Sequence, residues 1–265
     1  MPACVLWPSP TLEWKGVRRV LEQSAEQGIV DRLLRRLPPD EAKRVRQRLR
    51  RFVRPARLGT LRRAPPLSHH FGYDRGTPID RYYIERFLSD HHHHVRGHVL
   101  EVKESTYTDR FGTGVIKKDV LDVDSNNPLA SVVADLASAG SIPDDTYDCF
   151  ILTQTLQFIY DTRSAISHAR RILKPHGVLL VTVPAISPID DDENLTDYWR
   201  FTGASCAQLF AEIFGDTSIR VRPHGNPLSA IAFLAGMAHE ELTSDELEAL
   251  DSRFGILISV CAVKE

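Results

Sequence analysis

The stretch GHVLEVKESTYT, running from Gly97 to Thr108, decides how this chain is read. Its apolar start, Val99-Leu100, predicts a buried strand that carries the acidic Glu101. The polar run Lys103-Glu104-Ser105-Thr106 predicts a loop directly after it. A strand that empties into a loop near the start of an alternating series is where α/β proteins place a ligand. This loop holds no glycine.

Working outward, strand-like runs recur at 98–102, 114–123, 130–136, 147–154, 177–184, 218–223 and 254–263. Helical spacing occupies 163–174, 204–214 and 227–242 between them. Apolar strands separated by helices predict an α/β fold, a doubly wound Rossmann-like sheet of seven strands. Upstream, Ile79, Tyr82, Tyr83, Arg86 and Phe87 share one side of a helix that starts near Pro78. Further upstream, 11–36 shows helical spacing. Pro38-Pro39 breaks it, and Asp40 reads as the N-cap of a second helix over 41–53. The expected organisation is therefore a basic helical extension and linker (1–66), a lid-like helical segment (67–96) and a Rossmann-like domain (97–265).

The net charge of -2 conceals an asymmetry: residues 1–63 hold 16 Lys/Arg against 6 Asp/Glu. Few aromatic residues stand among these arginines, so a stacking surface for single-stranded nucleic acid is not expected. A solvated basic helix that docks on the acidic body of its own chain is the plainer reading. At 42% apolar and 26% charged, the composition is that of an ordinary globular protein. No apolar run reaches the length of about 18 residues that a membrane span needs. Cys4, Cys149, Cys206 and Cys261 form no CxxC pair and read as reduced thiols, which favours a cytoplasmic location. The run His91 to His94 lacks the convergent spacing of a metal site, so no metal is expected.

The order of motifs resembles the class I S-adenosylmethionine-dependent methyltransferases, in their type 11 domain group, over about residues 97–223. VLEV at 99–102 is similar to the family's first strand, and VVADL at 132–136 to its third. IPDDTYDCFILTQTLQFI at 142–159 resembles the lead into its fourth strand. RILKPHGVLLVTVP at 171–184 resembles its LKPGG turn, with His176 in place of one glycine. DYWRFT at 197–202 resembles a segment of some methyltransferases of glycan and natural-product pathways. The resemblance implies S-adenosylmethionine as cofactor and a small-molecule acceptor, a specialised metabolite or glycan precursor.

By the same resemblance, Glu101, Lys103, Ser105, Asp124, Asp135, Leu136 and Gln154 would hold the cofactor. One carboxylate at the end of strand two can accept both ribose hydroxyls. Asp122 and Asp124 alternate across that end, and Asp124, the last on the strand, is favoured. His224 and Tyr82 are the candidate catalytic groups, and Tyr83, Tyr198, Arg200 and Asn226 the candidate acceptor contacts. The family's loop after strand one reads G-x-G-x-G, whereas this chain has Lys103, Ser105 and Tyr107. That departure keeps open a methyltransferase-fold protein without methyl transfer, a cyclase, isomerase or scaffold. The basic arm keeps open an RNA or protein acceptor as a third reading. A homodimer is left open.

Overall fold

A computed structural model describes residues 34, 37–53, 59–190 and 195–265. The chain forms two compact units, 1–62 and 63–265. In the first, helix α1 (Pro39–Val53) carries Asp40 and Glu41 in its first turn. The helix begins at Pro39, so Asp40, expected as its N-cap, stands inside the first turn; proline's fixed φ and missing N–H suit that opening position. The helix expected over 11–36 lies outside the described residues apart from Leu34.

The second unit is built on seven strands: β1 (Gly97–Val102), β2 (Val115–Asp122), β3 (Val132–Val133), β4 (Tyr147–Thr153), β5 (Leu173–Pro184), β6 (Ile219–His224) and β7 (Leu257–Val263). They lie in the order β3-β2-β1-β4-β5-β7-β6. β7 runs antiparallel to both its neighbours, and the pairings among β1 to β5 are parallel. Side chains alternate across each strand, so each face acquires its own core. On one face Leu100, Phe150, Leu152 and Val181 pack beneath α4 (Thr162–Ile172) and α5 (Gly203–Phe214). On the other, Val99, Cys149, Ile151 and Leu180 meet α2 (Ile79–Asp90) and α6 (Pro227–Leu234).

The stretch 67–96, expected as a lid-like segment, gives its helix to this second layer. Ile79, Ile84 and Leu88 of α2 are fully buried, and Phe87 nearly so. Burying each such side chain is worth about 1.5–3 kcal/mol, which fixes α2 to the sheet. Only its N-terminal half, through Asp80, Arg81 and Glu85, reaches the cavity at the C-terminal ends of the strands.

Two elements are shorter than their sequence patterns predict. β3 keeps two residues, because Asp135 leaves the strand to cap a 3₁₀ turn over Leu136–Ser138 through the Ala137 N–H. The helix expected over 227–242 ends at Leu234. There Gly236 takes φ +75°, and Ser68 O would stand 2.4 Å from any Cβ added to it. A short helix α7 (Ser244–Glu248) follows. α3 (Thr106–Phe111), after the glycine-free loop, has only six residues.

Cys149, Cys206 and Cys261 are buried free thiols. Burial pushes Cys206 up to about 12 and Cys261 up to about 11, which makes both poor nucleophiles. Among the described residues, no helix is long and apolar enough to cross a membrane, and no group of three or more His, Cys, Asp or Glu could hold a metal ion.

Candidate active site

The C-terminal ends of β1, β2 and β4 open into a cavity of about 910 Å³. The first wall is the loop after β1. Glu101 is 2% exposed. Its Oε1 accepts the Tyr107 N–H at 3.0 Å, and its Oε2 accepts the Thr108 N–H at 2.7 Å and the Thr108 hydroxyl at 2.6 Å. Burial pushes its carboxyl above the ordinary glutamate value, and those three hydrogen bonds pull the other way without prevailing. Glu101 therefore fastens the start of α3 to the sheet.

The missing glycines are each accommodated differently. Lys103 adopts φ +67°, the left-handed conformation a glycine would take, at a cost of about 1–2 kcal/mol. The turn is held by the Lys103 N–H bonded to Leu121 O and by Asn127 Nδ2 donating to Lys103 O. The Ser105 hydroxyl turns away from the cavity to Asp109 Oδ2 at 3.1 Å. Tyr107 packs against Phe111, and its hydroxyl accepts from Arg81 Nη1 at 3.1 Å. His176, standing in the LKPGG-like turn, likewise takes φ +64°.

The second wall is the end of β2. Asp122, 6% exposed, is the carboxylate that faces the cavity. Its Oδ1 accepts the Asp124 N–H at 3.1 Å and its Oδ2 accepts Asn127 Nδ2 at 2.8 Å. A carboxylate has about four acceptor sites, so two remain. Asp124, the residue favoured from sequence, is exposed and outside the cavity. Its Oδ1 is taken by the N–H and Nδ2 of Asn126 in a local turn. The ladder decides this, because Asp122 pairs with Val133 of β3 and is the last strand residue.

Asp135 and Leu136 line the cavity beyond β3, and Gln154 lines it beyond β4. Gln154 adopts φ +46°, and its carbonyl accepts Gln157 Nε2 at 2.9 Å. Gln157, which the sequence reading passed over, is 6% exposed on the same floor, and its Oε1 has no hydrogen-bond partner. On the far side, Arg200 makes a bidentate pair with Asp197 at 2.6 and 2.7 Å and donates to Pro188 O. It holds its loop together rather than offering free donors. Tyr198 is 47% exposed at the mouth, with Tyr160 5.4 Å away between ring centroids. On the near side, Asp80 and Arg81 come from the first turn of α2. Nothing local marks these two residues in the sequence, because their place depends on how α2 docks.

Besides Asp124 and Ser105, four more expected site residues lie outside the cavity. His224 is buried, its Nε2 2.7 Å from Ser259 Oγ and its ring 5.9 Å from that of Tyr83. Burial pushes its pKa down to about 4. β6 is the edge strand, separated from β4 by β5 and β7, so His224 cannot reach the cavity. The Tyr82 hydroxyl donates to Glu248 Oε1, and that of the buried Tyr83 donates to Leu247 O. Asn226 caps α6: its Oδ1 accepts from Leu228 N and Ser229 N, and its Nδ2 donates to Glu246 O and Ala249 O.

A seven-stranded sheet with β7 antiparallel, and a cavity over the ends of β1, β2 and β4, define a class I methyltransferase fold. Residues 105–181 match the family model described as "Methyltransferase domain". Similar solved structures include an S-adenosylmethionine-dependent methyltransferase from Archaeoglobus fulgidus (13% identity, 74% of this chain and 100% of that chain, TM-score 0.48). One from Mesorhizobium loti has 16% identity over 73% and 100% of the two chains, with a TM-score of 0.47. The 4+2 cyclase SpnF has 15% identity over 75% and 89%, with a TM-score of 0.47. No curated protein matches the chain.

Proposed function

We propose that this protein binds S-adenosylmethionine and methylates a small molecule, a specialised metabolite or glycan precursor. The observation that carries this reading is Asp122, a nearly buried carboxylate with acceptor sites to spare on the cavity wall. A vicinal diol can use both of them. The other surroundings fit as well. Nine carboxylates and four cationic side chains line the cavity among the described residues. That excess suits a ligand whose sulfonium and ammonium outweigh its one carboxylate. Asp135 and Leu136 offer an adenine edge a polar and an apolar neighbour, and Gln154 with Gln157 supplies a polar floor. The loop after β1 closes without glycine because Lys103 takes the left-handed turn and Glu101 ties down α3. Small-molecule sites run from about 300 to 1,000 Å³, and this cavity stands near the top of that range, as one shared by cofactor and acceptor would.

When bound, the cofactor supplies an electrophilic methyl group on a sulfonium. The chain's own part is to align an acceptor, exclude water and take up a proton. Burial raises Asp80 above the ordinary aspartate value despite Arg81 beside it. Asp161 and Asp197 are lowered, the first by its α4 capping bonds and the second by Arg200, which overcomes burial. Glu101 is closed off. Among these four, Asp80 is the carboxyl suited to accept a proton. Tyr198, exposed beside Tyr160, offers the acceptor a flat apolar surface at the mouth.

Calorimetric titration with S-adenosylmethionine and S-adenosylhomocysteine tests the reading. Asp122→Asn is expected to weaken both about 10- to 100-fold, through loss of charge-assisted hydrogen bonds. Unchanged affinity would move the ribose away from Asp122. Wild-type protein that binds neither ligand at millimolar concentration would leave the fold without methyl transfer. For Asp80, ¹³C-detected titration of its carboxyl should give a value above the ordinary one, and Asp80→Asn should slow methyl transfer at least about 100-fold. An ordinary pKa with unaltered turnover would remove Asp80 from the reaction.

A further inference from the structure

Arg81 differs from the other arginines of the cavity. Arg110 pairs with Glu85, and Arg200 pairs with Asp197. No carboxylate among the described residues forms an ion pair with Arg81. Its Nε donates to Tyr73 Oη at 2.9 Å and its Nη1 to Tyr107 Oη at 3.1 Å, and its Nη2 makes no hydrogen bond among the described residues. Both partners are phenols. Burial pushes the Tyr107 hydroxyl further from ionising. Burial also works against the charge on Arg81, but Asp80, Tyr107 and Tyr73 nearby outweigh it, so the guanidinium stays charged. Asp80 acts on Arg81 through space without pairing with it, so this half-buried guanidinium, held by neutral hydroxyls and open to a cavity, still has a donor to offer an anion.

The loop after β1 indicates what that anion is. In a glycine-rich loop, free backbone N–H groups approach an anionic part of the ligand. Here the N–H groups of Tyr107 and Thr108 are spent on Glu101. Lys103 is exposed and so remains hydrated. Tyr107 belongs to the helix that follows this loop and binds Arg81 directly, so the guanidinium stands beside the place the loop amides would have served. Arginine's planar fork also matches a carboxylate better than an ammonium does.

We propose that Arg81, fixed by Tyr73 and Tyr107, is the anion-binding group that takes the carboxylate at the amino-acid end of the cofactor, in place of loop amides. This rests on the reading of the cavity as a cofactor site, and the experiment separates the two. S-adenosylhomocysteine carries that carboxylate, whereas 5′-methylthioadenosine has the same nucleoside and thioether without it. Calorimetry on Arg81→Met should show S-adenosylhomocysteine weakened about 10- to 100-fold and 5′-methylthioadenosine changed by less than about twofold. Tyr107→Phe, which keeps the ring packing, should weaken only S-adenosylhomocysteine, by about threefold, and serves alone where Arg81→Met does not fold. Equal losses for the two ligands would make Arg81 a mere support of the wall. Unchanged S-adenosylhomocysteine affinity in either variant, with wild-type binding intact, would give the anion site to the acceptor and overturn the proposal. Wild-type protein that binds neither ligand would overturn the cofactor site itself.

Discussion

Glu101→Leu is expected to destabilise the 63–265 unit by about 2–4 kcal/mol, because three buried donors lose their acceptor at once. Leucine nearly matches the volume of glutamate, so the loss is of hydrogen bonds and not of packing. α3 has six residues and cannot persist by its own hydrogen bonds. Its attachment is the Glu101 carboxylate, which receives Tyr107 N, Thr108 N and the Thr108 hydroxyl. For a unit of this size, the midpoint of thermal unfolding should fall by about 5–15 °C. Glu101→Gln should cost less. Burial already favours an uncharged side chain there, and the amide oxygen can keep at least one of the three bonds. Cofactor affinity should fall in both variants, since the loop that lines the cavity loses its anchor. Thermal melts showing the leucine variant as stable as wild type would mean that water, not Glu101, satisfies the start of α3.

The strands and the doubly wound plan were legible because a strand buried on both faces is apolar almost throughout, and this signal is local. β3 was overextended for the opposite reason. VVADL reads as a strand by composition, yet Asp135 gains more by capping the following turn than by staying in an edge ladder two residues long. Glu101, Lys103, Asp135, Leu136 and Gln154 were found at strand ends and line the cavity. Asp124 was preferred to Asp122 because position along the chain cannot say where pairing with β3 stops. His224 shows the same limit more sharply. It follows a strand, as site residues often do, but strand order places β6 at the edge and turns the ring onto Ser259 and Tyr83. Arg81 could not be found at all from local pattern. Its neighbours Tyr73 and Tyr107 lie 8 and 26 residues away, and α2 must dock on the sheet before the three meet.

Asp119→Ala should cost about 3 kcal/mol near neutral pH, at the end of the sheet opposite the cavity, and it should do so without changing ligand affinity. Asp119 is 8% exposed on β2. His98 Nε2 of β1 lies 2.6 Å from its Oδ2, Lys117 Nζ of its own strand 3.0 Å, and the Tyr147 hydroxyl of β4 3.5 Å, while the Ser131 hydroxyl donates to Oδ1 at 2.9 Å. Burial alone would raise its pKa, but the hydrogen bonds from Lys117, His98 and Ser131 prevail and hold it below the ordinary aspartate value. The sign follows from linkage. A carboxyl whose folded pKa is depressed contributes stability above its unfolded value of about 3.9 and loses it as pH falls through the folded value. The gap between wild type and Asp119→Ala should therefore be full at pH 7, intact at pH 5 and smaller below pH of about 3.9. Denaturant unfolding at a series of pH values measures that gap directly. A gap that stayed constant down to pH 3 would mean that Asp119 contributes through shape and not through its charge. Lys117 is mostly solvated, with a side chain 61% exposed, so Lys117→Met should reproduce only a small part of the loss. That contrast separates the buried His98–Asp119 pair, which ties β1 to β2, from the surface charge beside it.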